Sequence, residues 1–440
     1  MTPTPWPLLL GVLGVSLAAC APREGGKPAE DALTEDTAHA VDTAPVTTEP
    51  CAPDEVHAER ALSSRGLIEG ACEGFGNSSF SVPVLGGVRV ATGAKACPDG
   101  PIDGGAVFLY EVPDTGAPSL VLEVIGDVLD ANLSARMALT SGDSVRGEPL
   151  FAASWTDGRS GLTIGGTYVW EGANPDPVAT IYTPDFYIGQ GLAYGSDLFV
   201  AAAPVVDDRA GRLYVYDAAE VGPLGPEDAI AVHQGAYPDA ELGYNLHAVG
   251  DVDGDGRRDF VVDDGGRALL LVAADAEVDQ GVDYGLSLGV WLPLGDSATD
   301  VGDWDGDGLA DVAVGDQTAT RESGGHVGVF SWTQADPLLY FYPGFQDLTE
   351  IGQHLAGRSE PAGLYVSGLA SVPEGASFWL VEPPACGTTT LADVGSRLVT
   401  PQEAPTYLGG FSAVEDLLVL GLIEPDLALE FATVPQGAAR

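Results

Sequence analysis

Ile188-Gly189-Gln190-Gly191-Leu192-Ala193 is one copy of a phrase that recurs along the chain. It returns as Phe75-Gly76-Asn77-Ser78, Leu242-Gly243-Tyr244-Asn245-Leu246, Leu294-Gly295-Asp296-Ser297-Ala298, Ile351-Gly352-Gln353-His354-Leu355-Ala356 and Val394-Gly395-Ser396-Arg397-Leu398. A looser copy, Leu133-Ser134-Ala135-Arg136-Met137-Ala138, fills the one wide gap. First residues at 75, 133, 188, 242, 294, 351 and 394 set a unit of about 50 residues, the size of a four-stranded propeller blade.

The rest of each unit reads as strands separated by Gly-rich turns. A second strand is expected at Val88 to Ala91, Leu198 to Ala202, Phe260 to Val262, Val312 to Val314 and Leu364 to Ser367. A third opens on Gly and alternates: Gly105 to Tyr110, Gly166 to Trp170, Gly211 to Tyr216 and Gly325 to Phe330. Val178 to Tyr182, Ile230 to His233 and Leu338 to Tyr342 supply the fourth. In the last unit, Ser396 to Thr400, Leu417 to Leu422 and Leu427 to Val434 leave an outer strand missing, and Arg65 to Gly70 has the pattern to fill it.

Composition agrees with an all-β chain. Among 440 residues, 59 are Gly and 32 Pro, with 45% hydrophobic, which supplies a core but no long helical runs. With 65 Asp and Glu against 18 Lys and Arg, the formal charge is −47. That charge repels phosphate backbones and anionic lipid, which argues against nucleic-acid partners and favours metal cations.

The N-terminus reads as a processing signal. Leu8 to Ala19 is an apolar run too short to span a bilayer, which needs about 20 residues. Its end, Leu17-Ala18-Ala19-Cys20, resembles the bacterial lipobox, which implies cleavage before Cys20 and its lipidation. Residues 20–55 are rich in Ala, Pro, Thr, Asp and Glu and bury too little to offset ordering entropy. They are expected to be a disordered tether of about 30 Å. The expected organisation is a signal at 1–19, a tether at 20–55 and a propeller at 56–440, anchored by lipid in the bacterial outer membrane or cell surface.

The repeat phrases, with Phe75-Gly76 at one end of the motif and Ala201-Ala202-Ala203-Pro204 at the other, resemble the FG-GAP repeats of integrin alpha-subunit β-propellers and their bacterial relatives. The resemblance covers roughly Leu62 to the C-terminus. It implies a seven-bladed β-propeller whose last blade takes its outer strand from the N-terminal segment.

Two units carry Asp-rich loops between first and second strands: Asp251-Val252-Asp253-Gly254-Asp255-Gly256-Arg257-Arg258-Asp259 and Asp303-Trp304-Asp305-Gly306-Asp307-Gly308-Leu309-Ala310-Asp311. Alternate carboxylates around tight Gly turns suit a hard cation with six or more oxygen ligands, so two Ca2+ sites are expected. Asp251, Asp253, Asp255 and Asp259, and Asp303, Asp305, Asp307 and Asp311, would offer side chains, while Arg257 and Leu309 would offer carbonyls. The loops open like an EF-hand, but Val262 and Val314 stand where its closing Glu belongs, and strands flank them.

Besides Cys20, four cysteines remain, which allow three pairings. The blade order places Cys72 and Cys97 on one face and Cys51 and Cys386 on the other, which favours Cys72 with Cys97 and Cys51 with Cys386. No nucleophile-elbow, zincin, P-loop or dinucleotide motif appears in a suitable context. His247 and His354 read as structural, and Asp207 with Asp208, or Asp239 with Glu241, are the available carboxylate pairs. The reading is therefore a surface-tethered calcium propeller that binds a protein or glycan. The alternative is a polysaccharide lyase or hydrolase on the same frame. The face opposite the calcium loops would meet the ligand through Trp155, Tyr187 and Tyr237, with Arg159, Phe186, Arg209, Arg321 and Phe345 around them.

Overall fold

The computed structural model describes residues 60–434 apart from internal stretches, the longest being 280–296, 384–395 and 140–149. The signal, the tether, Cys20, Cys51 and Cys386 lie outside the described residues. Contacts divide the chain into Met1–Val46 and Thr47–Arg440, and everything below concerns the second unit.

The described residues form seven antiparallel sheets. The first contains Ser79–Val84, Gly87–Ala94, Ala106–Pro113 and Ser119–Ile125, and the second Met137–Leu139, Leu150–Asp157, Ile164–Glu171 and Ala179–Tyr182. Leu192–Tyr194, Leu198–Ala203, Arg212–Asp217 and Ala231–Gln234 make the third. The fourth is Leu246–Ala248, Phe260–Asp263, Ala268–Val272 and Glu277–Asp279; the fifth is Ser297–Gly302, Asp311–Asp316, His326–Phe330 and Leu338–Pro343. The sixth orders Leu355–Arg358, Gly363–Ala370, Ala376–Val381 and Ser396–Val399, with Leu348–Thr349 beside Gly363–Ala370. These six draw their four main strands from continuous chain. The seventh is composite: Tyr407–Val414, Leu417–Glu424 and Ala428–Thr433 are completed by Ser63–Glu69 from the other end.

Core packing closes the sheets into a ring. Middle strands are apolar on both sides because each lies between two neighbours. In Arg212–Asp217, Leu213 and Val215 pack with the fourth sheet, while Tyr214 and Tyr216 pack with the second; successive side chains alternate faces. Each of the seven apolar clusters joins one pair of consecutive sheets. One of them joins the seventh sheet to the first through Val419, Leu429 and Phe431 against Val88, Val90 and Phe108. This is a β-propeller, all-β among the described residues except for a 3-10 turn at Pro226–Asp228.

The geometry explains the repeated phrase. Its first residue is a buried plug, as at Phe75, Leu133, Ile188, Leu242 and Ile351. In three units that plug bridges in parallel to the Gly that opens a third strand: Gly105 with Leu133, Gly211 with Leu242, and Gly325 with Ile351. Gly211 has φ +87, and a Cβ there would lie 2.4 Å from the Leu242 nitrogen, so conformation and close approach both require glycine.

Two features depart from the sequence reading. Ser396–Val399 is the outer strand of the sixth sheet, and the seventh begins at Tyr407–Val414. The last sheet therefore begins after the unit start expected at Val394-Gly395, a pair that itself lies outside the described residues. Two short segments also extend outer edges in parallel, Arg60–Ala61 on Ser396–Val399 and Gly222–Leu224 on Ala179–Tyr182. Neither has enough residues to show alternation.

Candidate metal centres

Both Asp-rich loops join a first strand to a second, and the two are built alike. In the fourth sheet the hairpin base is closed by Val249 N–H to the Asp259 carbonyl at 2.8 Å and Asp259 N–H to the Gly250 carbonyl at 3.1 Å. Asp251 accepts from the N–H groups of Gly254 at 2.7 Å and Gly256 at 2.8 Å, one on each carboxylate oxygen. Asp303 does the same for Gly306 at 2.7 Å and Gly308 at 3.0 Å. Gly256 and Gly308 have φ +88 and +93, yet a Cβ at either would meet nothing within 4 Å. Left-handed backbone, not space, makes glycine the residue there.

Three carboxylates converge in each loop. One oxygen from each of Asp251, Asp253 and Asp259 lies within 4.8 Å of the others, and Asp303, Asp305 and Asp311 repeat the arrangement. Two oxygens on one hard cation, each at about 2.4 Å, can sit up to about 4.8 Å apart, so one such ion could bridge the three. The carboxylates also hold the turns: Asp253 accepts from Asp255 N–H and Asp305 from Asp307 N–H, each at 3.0 Å. Asp255 accepts from Arg257 N–H at 2.7 Å, and Asp307 accepts from Leu309 N–H at 2.9 Å and from the Thr333 hydroxyl. All of these backbone N–H contacts cap the turns. Arg257 directs its guanidinium to Asp197 of the third sheet, 3.3 Å away.

Burial makes the converging charges costly without a cation. Asp259 and Asp311 are buried at the loop ends. Burial pushes the Asp311 carboxyl up to about 7; the Trp304 and Asp305 N–H groups and Ser331 oppose this, while the Asp305 charge adds to it. Asp253 is likewise raised, chiefly by desolvation, with Asp255 and Asp251 contributing repulsion. A hard divalent cation would reverse this balance.

On the opposite face, two loops of the third sheet are stitched together. Asp207, Asp208, Arg209, Asp239 and Glu241 all adopt left-handed φ between 52 and 65. Glu241 N–H donates to the Arg209 carbonyl at 2.7 Å and Asp239 N–H to the Asp208 carbonyl at 3.2 Å. Asp207 pairs with Arg212 at 2.6 Å, Glu241 pairs with Arg209, and Asp239 lies 3.7 Å from Arg209. Tyr237 stands beside them, 39% exposed, its hydroxyl donating to the Asp264 carbonyl at 3.2 Å. Trp155, expected among the ligand-facing residues and read from the sequence as lying in a loop between second and third strands, is on a strand. It lies in Leu150–Asp157, and its ring stacks on Tyr168 at 6.0 Å over Gly166. Tyr187, Arg159, Phe186, Arg321 and Phe345 lie outside the described residues. His247 is in Leu246–Ala248 and His354 just before Leu355–Arg358.

Cys72 and Cys97 are joined by a disulfide across a separation of 25 residues. Spacing alone gave no sign of a second ionic cluster. Arg358, 5% exposed, donates to Asp416 at 3.0 Å, Glu382 at 2.6 Å and the Pro361 carbonyl at 2.7 Å, and Arg60 holds the other Glu382 oxygen at 2.8 Å. Aligning the repeats would have exposed it, because Arg358 occupies the position of buried Val249 and Val301.

No family model matches the chain, and no curated protein matches it in sequence. Among solved structures it is similar to the WD40 domain of Toxoplasma gondii coronin, with 11% identity and a TM-score of 0.49 over 87% of this chain and 88% of that one. It is also similar to the Dos1 propeller, with 12% identity and a TM-score of 0.46 over 85% and 96%. Neither likeness bears on ligand or activity.

Proposed function

We propose that the chain is a seven-bladed, FG-GAP-type propeller that holds two calcium ions and binds a protein or glycan outside the cell, tethered to the bacterial envelope by lipid on Cys20. The observation that carries the reading is the convergence of three carboxylates in each of two consecutive loops. Asp251, Asp253, Asp255 and Asp259, and Asp303, Asp305, Asp307 and Asp311, would hold the ions, with the carbonyls of Arg257 and Leu309 as further donors. Calcium there would fix two loops on the face from which the tether is expected to leave.

The opposite face then meets the ligand. Tyr237 offers an exposed aromatic on a conformationally fixed loop, the residue type enriched where partners bind. Binding is favoured over bond cleavage because Asp207 and Glu241 are both committed to arginines, which leaves them poor general acids or bases. A glycan array run beside a product assay on the same polysaccharides tests the choice. Retention without cleavage, reduced by Tyr237→Ala while calcium still raises the melting temperature, is the expected result. Cleavage lost in an Asp207→Asn, Asp208→Asn variant would replace the binding reading with the lyase or hydrolase one.

A further inference from the structure

The two Asp-rich loops touch each other. Ala310 N–H, in the loop of the fifth sheet, donates to the carbonyl of Asp251 in the loop of the fourth at 3.0 Å. Asp251 is also the residue whose two carboxylate oxygens organise its own loop. The loops are packed as well as bonded: a Cβ at Gly254 would lie 3.0 Å from a Leu309 methyl, and one at Gly250 would lie 2.3 Å from the Ala310 Cβ and 2.9 Å from an Asp300 oxygen. Arg258, half-buried within the field of Asp300, donates to the Val249 carbonyl at 2.9 Å and so ties the base of the fourth-sheet loop to the same seam.

We propose that these contacts couple the two calcium sites, so that an ion in either loop raises the affinity of the other. This rests on the calcium reading above and concerns the regulation of those sites. Ordering 303–311 around an ion fixes the Ala310 N–H, and a fixed Ala310 N–H holds the Asp251 backbone in the position its carboxylate needs. Part of the conformational entropy that the second ion would have to remove is then already gone, which is positive cooperativity without a change of fold. Thermodynamic linkage makes the effect equal in both directions. Repulsion between the ions works against this gain and is damped by exposure of the loops to solvent. The two loops hold eight aspartates against Arg257 and Arg258, so the pair stays attractive to a second ion after the first is bound.

Calorimetric titration of the calcium-stripped chain with calcium chloride tests this. Asp305→Ala leaves the fourth-sheet site alone, and Asp253→Ala leaves the fifth-sheet site alone. The parent should bind two ions, and each surviving site should bind at least about fivefold more weakly than in the parent, the lower end of ordinary coupling. Ala310→Pro, which deletes the shared donor, should bind two ions with the coupling lost; if it does not fold, the two single-site variants still decide. Surviving sites as tight as in the parent, or tighter, would overturn the coupling and leave both sites standing. A parent that binds no calcium would overturn the metal reading beneath it.

Discussion

Replacing Arg358 tests how the ring is held shut. The side chain links the end of the strand Leu355–Arg358 in the sixth sheet to Asp416 in a hairpin of the seventh and to Glu382, which also holds Arg60 from the N-terminal segment. Arg358→Ala would strand two carboxylates. Breaking a buried ion pair from one side costs about 3–5 kcal/mol. Glu382 is 37% exposed and keeps Arg60, so solvent screening discounts the figure to about 2–3 kcal/mol. Scaling the entropy of unfolding to a domain of this size, about 1.3 °C per kcal/mol, the melting temperature should fall by about 3–4 °C. The pH dependence is a sharper signature. Burial alone would raise the Glu382 carboxyl, but hydrogen bonds and charge from Arg358 and Arg60 outweigh it and hold it below the ordinary range. A depressed folded-state pKa stabilises above the unfolded value, near 4.3, and that stability is lost as pH falls through the folded value. The gap between parent and Arg358→Ala should therefore be full at pH 7 and close as the medium is acidified below about pH 4. Melting followed by circular dichroism across that range reads it; a gap independent of pH would show that Arg358 acts only by packing.

Three further outcomes are expected. Replacing Cys72 and Cys97 together by Ser opens a 25-residue loop and should cost about 3 kcal/mol by the chain-entropy account, visible as a lower denaturant midpoint; an unchanged midpoint would remove the disulfide from the stability argument. Gly256→Ala and Gly308→Ala force left-handed backbone on a side chain at about 1–2 kcal/mol each, so each should weaken calcium binding in a titration although nothing is crowded; unaltered affinity would mean the loop tolerates another backbone path. Cys20→Ser should release the protein from the membrane fraction, and a variant that still pellets after a salt wash would refute the lipid anchor.

The strands were legible because a blade buried on both sides leaves runs such as Leu198 to Ala202 and Leu213 to Tyr216 with almost no polar interruption. The closing strand was legible for a different reason, an incomplete last unit beside a spare pattern at Arg65 to Gly70. The start of that unit was misplaced because apolar-Gly pairs are abundant in a chain with 59 glycines. Spacing was the better guide, since Leu408-Gly409 keeps the interval of the earlier units and Val394-Gly395 falls short of it. In the loops, Asp spacing marked both acidic turns, but that Asp251, Asp253 and Asp259, and Asp303, Asp305 and Asp311, bring oxygens within 4.8 Å of one another depends on the path of the backbone between them. Contacts between distant segments, such as Arg60 with Glu382 and Ala310 with Asp251, have no local signature.

The most direct test is the melting temperature of the full chain, stripped of calcium and then titrated with it. An ion bound by the folded loops alone stabilises by RT ln(1 + [L]/Kd), about 2.7 kcal/mol per site at a hundredfold excess over Kd. The melting temperature should rise with calcium, fall again in chelator, and lose most of that response when Asp253 and Asp305 are both replaced by Ala. A parent chain whose melting curve ignores calcium and chelator alike would contradict the account.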